Sequence, residues 1–164
     1  MELINEHTRE FNKNIFFENL EKHGKPINLK CVEVSEVGTS KINNKPTIYL
    51  NMEILTEFPI IKTLDNGKQV KINPFNQIIS LPYGLKETRI NNIYQVSNRS
   101  NLYILLNHAL KLTGSIPENN TKGFYISIQE ITEALEGVVF NVVCQLEKET
   151  NYKPYYKLII ASDL

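Results

Sequence analysis

Residues 47–55 constrain the fold more tightly than any other stretch of the chain. Ile48, Leu50, Met52 and Ile54 alternate there with Thr47, Tyr49, Asn51 and Glu53. Successive side chains of a β-strand point to opposite faces, so this pattern buries one face and wets the other. Residues 27–37 add a second constraint. Ile27, Leu29 and Cys31 keep one phase, and the apolar positions then shift to Val32 and Val34. One extra residue turns every later side chain of a strand over, so a β-bulge is expected inside this segment. Both features call for an antiparallel sheet with one covered face.

The remaining segments extend that plan. Residues 8–23 read as a helix, with Thr8 as N-cap and Gly24 as the left-handed stop. Its apolar residues fall on two sides, Phe11 and Ile15 against Phe16, Phe17 and Leu20, as in a helix held between two surfaces. Residues 38–45 form a polar loop. Residues 58–64 and 68–75 flank Asn66-Gly67, which predicts a hairpin with a type I′ turn. Residues 77–83 make a short strand ending near Pro82 and Gly84, and 91–96 a further extended piece. Leu102, Leu105, Leu106 and Ala109 recur at helical spacing before Gly114, giving a helix over 100–112. Ser127 and Glu130 form a capping box that opens a shorter helix over 127–135. Residues 138–146 and 155–161 close the chain as two strands joined by a polar turn. Val139 and Val143, opposite the main apolar face, indicate cover on both sides of the first of these.

This order predicts a mainly β protein with helices, a five-stranded OB-like Greek-key barrel. The 66–67 hairpin is inserted in it, a helix sits between strands three and four, and an N-terminal helix precedes it. Residues 1–24 form the appended helix and 25–164 a single domain. A generic α+β sandwich is the alternative.

Over residues 99–164 the pattern resembles single-stranded DNA-binding OB-fold proteins of phages and archaea. The features that carry it are Ser100-Asn101-Leu102-Tyr103-Ile104-Leu105-Leu106, a glycine-containing stretch over 114–124, and a second short helix ending at Leu135-Glu136-Gly137. A strand from Gly137 to Val142 and a closing strand with Tyr156 and Ile159 follow. The chain departs from the family at Val138, where a Lys is usual, and carries fewer basic residues in its strands. The resemblance implies an OB barrel and a partner in single-stranded DNA, or RNA, with a second copy or a replication protein as further partner.

Charge and chemistry narrow the functional classes. Eighteen basic residues balance eighteen acidic ones, so net charge does not itself attract phosphate. The distribution is uneven: residues 25–89 hold nine basic and six acidic side chains, and the predicted strands concentrate there. The three histidines are unpaired in sequence, and His108 is expected on the wet side of its helix. Cys31 and Cys144 lie in apolar runs as buried thiols, with no paired zinc-ligand spacing. No phosphate loop, nucleophile elbow or zinc-protease motif occurs. A two-metal nuclease would require carboxylates clustered on strands, and only Glu33, Glu36, Glu53 and Glu57 offer themselves. Neither catalysis nor a cofactor is expected. No apolar run reaches the ~20 residues of a membrane span, and the acidic start has no signal-peptide character, so a cytoplasmic location is expected.

Binding single strands takes cations for phosphates and flat rings for bases. Tyr49 with Asn51 on strand two, Lys41 and Lys45 before it, and Lys30 on strand one supply one such cluster. Lys71 and its neighbours Lys62, Lys68 and Phe75 belong to the inserted hairpin. Tyr152, Lys153, Tyr155 and Lys157 surround the last hairpin. An OB-like module that docks proteins instead is the alternative, favoured by the zero net charge and by only three arginines.

Overall fold

In a computed structural model the protein is described over residues 10–39, 44–114, 123–148 and 153–164. The elements run α1 (Lys13–His23), β1 (Ile27–Val34), β2 (Gly38–Thr39), β3 (Pro46–Ile54), β4 (Ile60–Thr63), β5 (Gln69–Ile72), β6 (Ile78–Gly84), β7 (Lys86–Glu87) and β8 (Ile93–Ser97). There follow α2 (Asn101–Thr113), β9 (Gly123–Ser127), α3 (Ile128–Leu135), β10 (Val139–Glu147) and β11 (Tyr155–Ile160). The protein is mainly β with helices, as expected.

The principal sheet has the order β6-β3-β1-β10-β11, all antiparallel, with β2 extending β1 along β3. β1 is its centre. Its first half pairs with both β10 and β3, and its second half with β3 alone. The expected bulge separates these halves: Cys31 faces Met52, Glu33 faces Asn51, and Val32 is the extra residue. Where β1 leaves β10, the Val34 N–H donates to the Glu136 carboxylate at 3.1 Å. That side chain stands in for a missing strand. The inner face carries Ile27, Leu29, Ile48, Leu50, Met52, Ile54, Phe140 and Val142, all fully buried.

α1 closes one end of this core. Phe16 and Leu20 are buried, and the helix packs against β10, β4, β11 and β6, so the expected wedge exists and the helix shares the common core. Its start differs from expectation. Asn12 is the N-cap, its Oδ1 accepting from the Ile15 N–H at 2.9 Å, while Thr8 lies outside the described residues. Gly24 stops the helix at φ 69°. α2 is capped by Ser100, at the start of the expected helix, and α3 starts at the predicted cap Ser127 with the full capping box.

Three further departures have local causes. The 66–67 hairpin forms, but only Gly67 has positive φ, at 82°. The Gly67 N–H donates to the Leu64 carbonyl and the Leu64 N–H to that of Lys68. The turn is therefore type I followed by a glycine bulge, not type I′, with Asn66 Oδ1 accepting from the Lys68 N–H. Next, β7, β8 and β9 make a small separate sheet. Its β9 begins at the end of the glycine-containing stretch over 114–124, where no strand was expected. Gly123 allows it: a Cβ there would sit 2.0 Å from the Val96 carbonyl oxygen. Finally, β2 occupies the start of the expected 38–45 loop.

The expected closed barrel is not formed. Among the described residues, β6 and β11 are the outermost strands of the principal sheet. Both line one cleft of about 420 Å³, together with α1 residues Lys13, Asn14, Phe17 and Glu18. The edges therefore approach without pairing, and Pro82 supplies the reason. Its partner on β3 is Tyr49, whose N–H donates to Ser35 Oγ at 2.8 Å and whose carbonyl accepts from the Ser35 N–H at 2.9 Å. Both backbone groups of Tyr49 thus point toward β1. Pro82 then occupies a non-hydrogen-bonded position and presents its ring, with no N–H, to the seam. A ladder to β11 cannot run through it.

Candidate nucleic-acid interface

The outer face of the principal sheet gathers part of the expected cluster. Register places Lys30 opposite both Glu53 and Val139, Glu33 opposite Asn51, Asn51 opposite Ser80, and Tyr49 opposite Pro82. Cross-strand partners share a face, so Lys30, Tyr49 and Asn51 lie on one wall. Tyr49 is 45% exposed. Its position is fixed by the two backbone hydrogen bonds to Ser35 described above. Asn51 is committed locally: its amide donates to Glu33 at 3.2 Å, and its carbonyl oxygen accepts from the Ser80 hydroxyl. It anchors the wall and has little left for a ligand.

Tyr155 and Lys157 belong to the same face. They pair with Glu147 and Gln145 on β10, positions in phase with outward Val139. By register along β10 they lie toward the opposite end of the sheet from Tyr49. Across the seam, however, both line the cleft together with Pro82, the neighbour of Tyr49. Curling of the sheet thus restores a proximity that linear register denies. Lys157 Nζ is held by Glu147 at 2.6 Å, so its charge is largely answered within the protein. Lys45 and Lys153 are exposed, just before β3 and β11. Lys71 stands apart on the β4–β5 ribbon, which shares no ladder with the principal sheet. Lys41 and Tyr152 lie outside the described residues. Phe75 is exposed beyond that ribbon.

Compared with protein-family models, with curated proteins and with solved structures, the chain matches none.

The electrostatics of the wall are mixed. Lys30 is flanked by Glu53, and Glu33 sits beside Asn51, so cation and carboxylate alternate along β1 and β3. Register sets Glu33 against Asn51 and Glu53 against Lys30, so the two carboxylates do not face each other. Among the described residues no three His, Cys, Asp or Glu side chains gather as a metal site. Both cysteines are buried and unbridged. Burial and the nearby Glu136 carboxylate push the Cys31 thiol up to about 11. Burial, helped by Glu21, pushes Cys144 up to about 12. A thiol held protonated is a poor nucleophile at neutral pH. Tyr83, inward on β6, has its hydroxyl pushed up by burial and by the two cysteines. His108 is only half-exposed, its ring 5.9 Å from that of Phe140.

Two residues that organise the site were missed from sequence, and one left a readable signal. Pro82 inside an alternating strand pattern is the mark of an edge strand. Asn19 is the other: it sits between buried Phe16 and Leu20 on the covered side of α1. Its amide donates to the Ile61 carbonyl at 3.3 Å and its Oδ1 accepts from the Ile61 N–H at 3.0 Å. One side chain thereby satisfies the edge of β4 and fixes the ribbon to α1.

Among the described residues no helix is long and apolar enough to cross a membrane.

Proposed function

We propose that the protein is a non-enzymatic binder of single-stranded DNA, or RNA, acting in the cytoplasm in replication, recombination or a phage cycle. The observation that carries the reading is Tyr49, a ring held outward on an otherwise hydrogen-bonded sheet wall whose same face carries Lys30 farther along, opposite Glu53. Two features support an OB-type arrangement. The strand order β6-β3-β1-β10-β11 is that of a five-stranded OB barrel opened between its third and fifth strands. The bulged β1 serves both halves, as the first strand of such a barrel does. Stacking on exposed rings is indifferent to sequence, because every base has a π-face.

The test is fluorescence anisotropy of labelled oligo-dT at low and moderate salt. Binding should weaken with salt, by about 0.7 logarithmic units per decade for each phosphate contact. Tyr49→Ala should weaken it by the worth of a stacked base, about 1–3 kcal/mol, roughly 5- to 150-fold, and equally for mixed sequences. No binding at low salt overturns the reading.

A second reading has one specific observation in its favour. Ile78 is 59% exposed and Val139 46% exposed on the same outer wall, with Val32 beside them. Such apolar groups suit a protein partner or a second copy. A sizing column showing a nucleic-acid-free oligomer with no affinity for oligonucleotide selects this alternative.

A further inference from the structure

We propose that the cleft between β6 and β11 is a pocket for one base of the bound strand, adjacent to the base stacked on Tyr49. The inference rests on the single-strand reading above and adds a second, structurally distinct subsite to it.

Four observations carry it. The cleft has a volume of about 420 Å³, inside the range of roughly 300–1,000 Å³ typical of small-ligand pockets. Its walls are flat or ring-bearing: Pro82 and Tyr155 on the two strand edges, and Phe17 from α1, stacked on Tyr156 at 6.3 Å and 18°. Asn14 and Asn101 also line it, and each carboxamide offers both a donor and an acceptor, as the hydrogen-bonding edge of a base requires. Lys13 adds a cation for the adjoining phosphate. Apolar walls with a few convergent polar groups are what a small heterocycle needs.

The position joins the pocket to the stacking wall. Pro82 is the direct cross-strand partner of Tyr49, so one strand spacing, about 4.8 Å, separates the backbone that carries the outward ring from the strand that rims the cleft. Adjacent nucleotides of one strand can occupy both. The same proline argues against the obvious competitor, an extended peptide adding to the free edges. Pro82 and Pro154 both line the cleft, and neither has an N–H to give a ladder, a common way of protecting sheet edges. The seam that fails to close as a sheet is left open for a side-on guest.

Two measurements on the full chain test the pocket. In the first, oligo-dT carrying 5-iodo-deoxyuridine at one position at a time is photo-crosslinked and the adducts are mapped by peptide mass spectrometry. One position should react with Tyr155 or Phe17, and its immediate neighbour with Tyr49. In the second, Asn14→Trp places a large ring in the cleft from an exposed helix position, where folding has little reason to suffer. It should lower oligo-dT affinity about fivefold or more, the scale of one lost stacking partner, with an unchanged thermal melt. Tyr155→Ala should act in the same direction. Binding with adducts confined to the Tyr49 face, and Asn14→Trp at wild-type affinity, overturns the pocket and leaves the single-strand reading standing. Absence of binding by the unmodified protein at low salt overturns both.

Discussion

The principal sheet and the β4–β5 ribbon use similar strand-forming residues yet are held by different means. In the sheet, each inward residue meets an inward partner: Leu29 with Phe140 and Ile54, Cys31 with Met52, Leu50 with Val34 and Leu81. These side chains are buried and belong to one continuous cluster. In the ribbon, Ile60 and Ile72 form one buried pair, whereas Ile61 and Lys71, the next pair, are exposed. A two-stranded ribbon is marginal by itself in water. Here a carboxamide from α1 completes its edge. The sheet is stabilised by area removed from water along its whole inner face, and the ribbon by one buried pair together with an edge completed from another element.

That contrast can be broken at three points, beginning with the largest effect. Phe140→Ala should cost about 3–5 kcal/mol, the usual range for removing a buried ring, and should lower the denaturant midpoint of the whole molecule. A loss confined to one region would contradict a single shared core. Raising the pH should come next. The unfolded chain releases thiol protons around pH 9.0, whereas Cys31 in the sheet keeps its proton to about 11. The folded state then binds more protons within that window, so stability is fully present below pH 9 and falls as pH rises through it. The loss should be on the order of 2–3 kcal/mol for Cys31, and Cys31→Ala should remove that share while leaving the part carried by Cys144. An equilibrium unfolding series from pH 8 to 11 reads it directly. The smallest effect should be Asn19→Ala, about 1–2 kcal/mol, because the Ile61 N–H and carbonyl lose their partner. Hydrogen exchange should speed up across β4 and β5 while β1 and β3 stay protected. Equal acceleration in both regions would show that the ribbon is not separately held.

How much of this was legible follows the same division. The alternation of Ile48, Leu50, Met52 and Ile54 named an inner face correctly because each residue's orientation depends only on its neighbours. The bulge at Val32 was readable for that reason too, as was the capping box of Ser127 with Glu130. The turn type was not. Asn66-Gly67 satisfies type I′ and a type I turn with a glycine bulge alike, and the register of Leu64 with Lys68 selects the second. The start of α1 moved because Asn12, four residues past Thr8, is also a good cap. β9 was hidden, since its five residues become a strand only beside β8.

The candidate site divides in the same way. Tyr49 was read outward from its strand phase and lies outward, and Lys30 follows from the same logic in the half of β1 that precedes the bulge. Asn51, equally outward by phase, is occupied by Glu33 and Ser80, a fact available only once β1 and β6 are in register. Lys71 was grouped with the wall by composition, but its strand pairs elsewhere. The cleft has no sequence signature beyond Pro82, since its walls come from α1, β6 and β11, far apart along the chain.

By itself the sequence determined where strands and helices begin and turn and which faces are apolar, because periodicity and capping are written among residues a few positions apart. Only the tertiary structure decided that the sheet stops short of closing, that Asn19 serves as a strand edge and that Tyr155 comes to the neighbour of Tyr49. Those outcomes depend on hydrogen-bond partners and free edges meeting across tens of residues, where no local pattern selects between the available pairings.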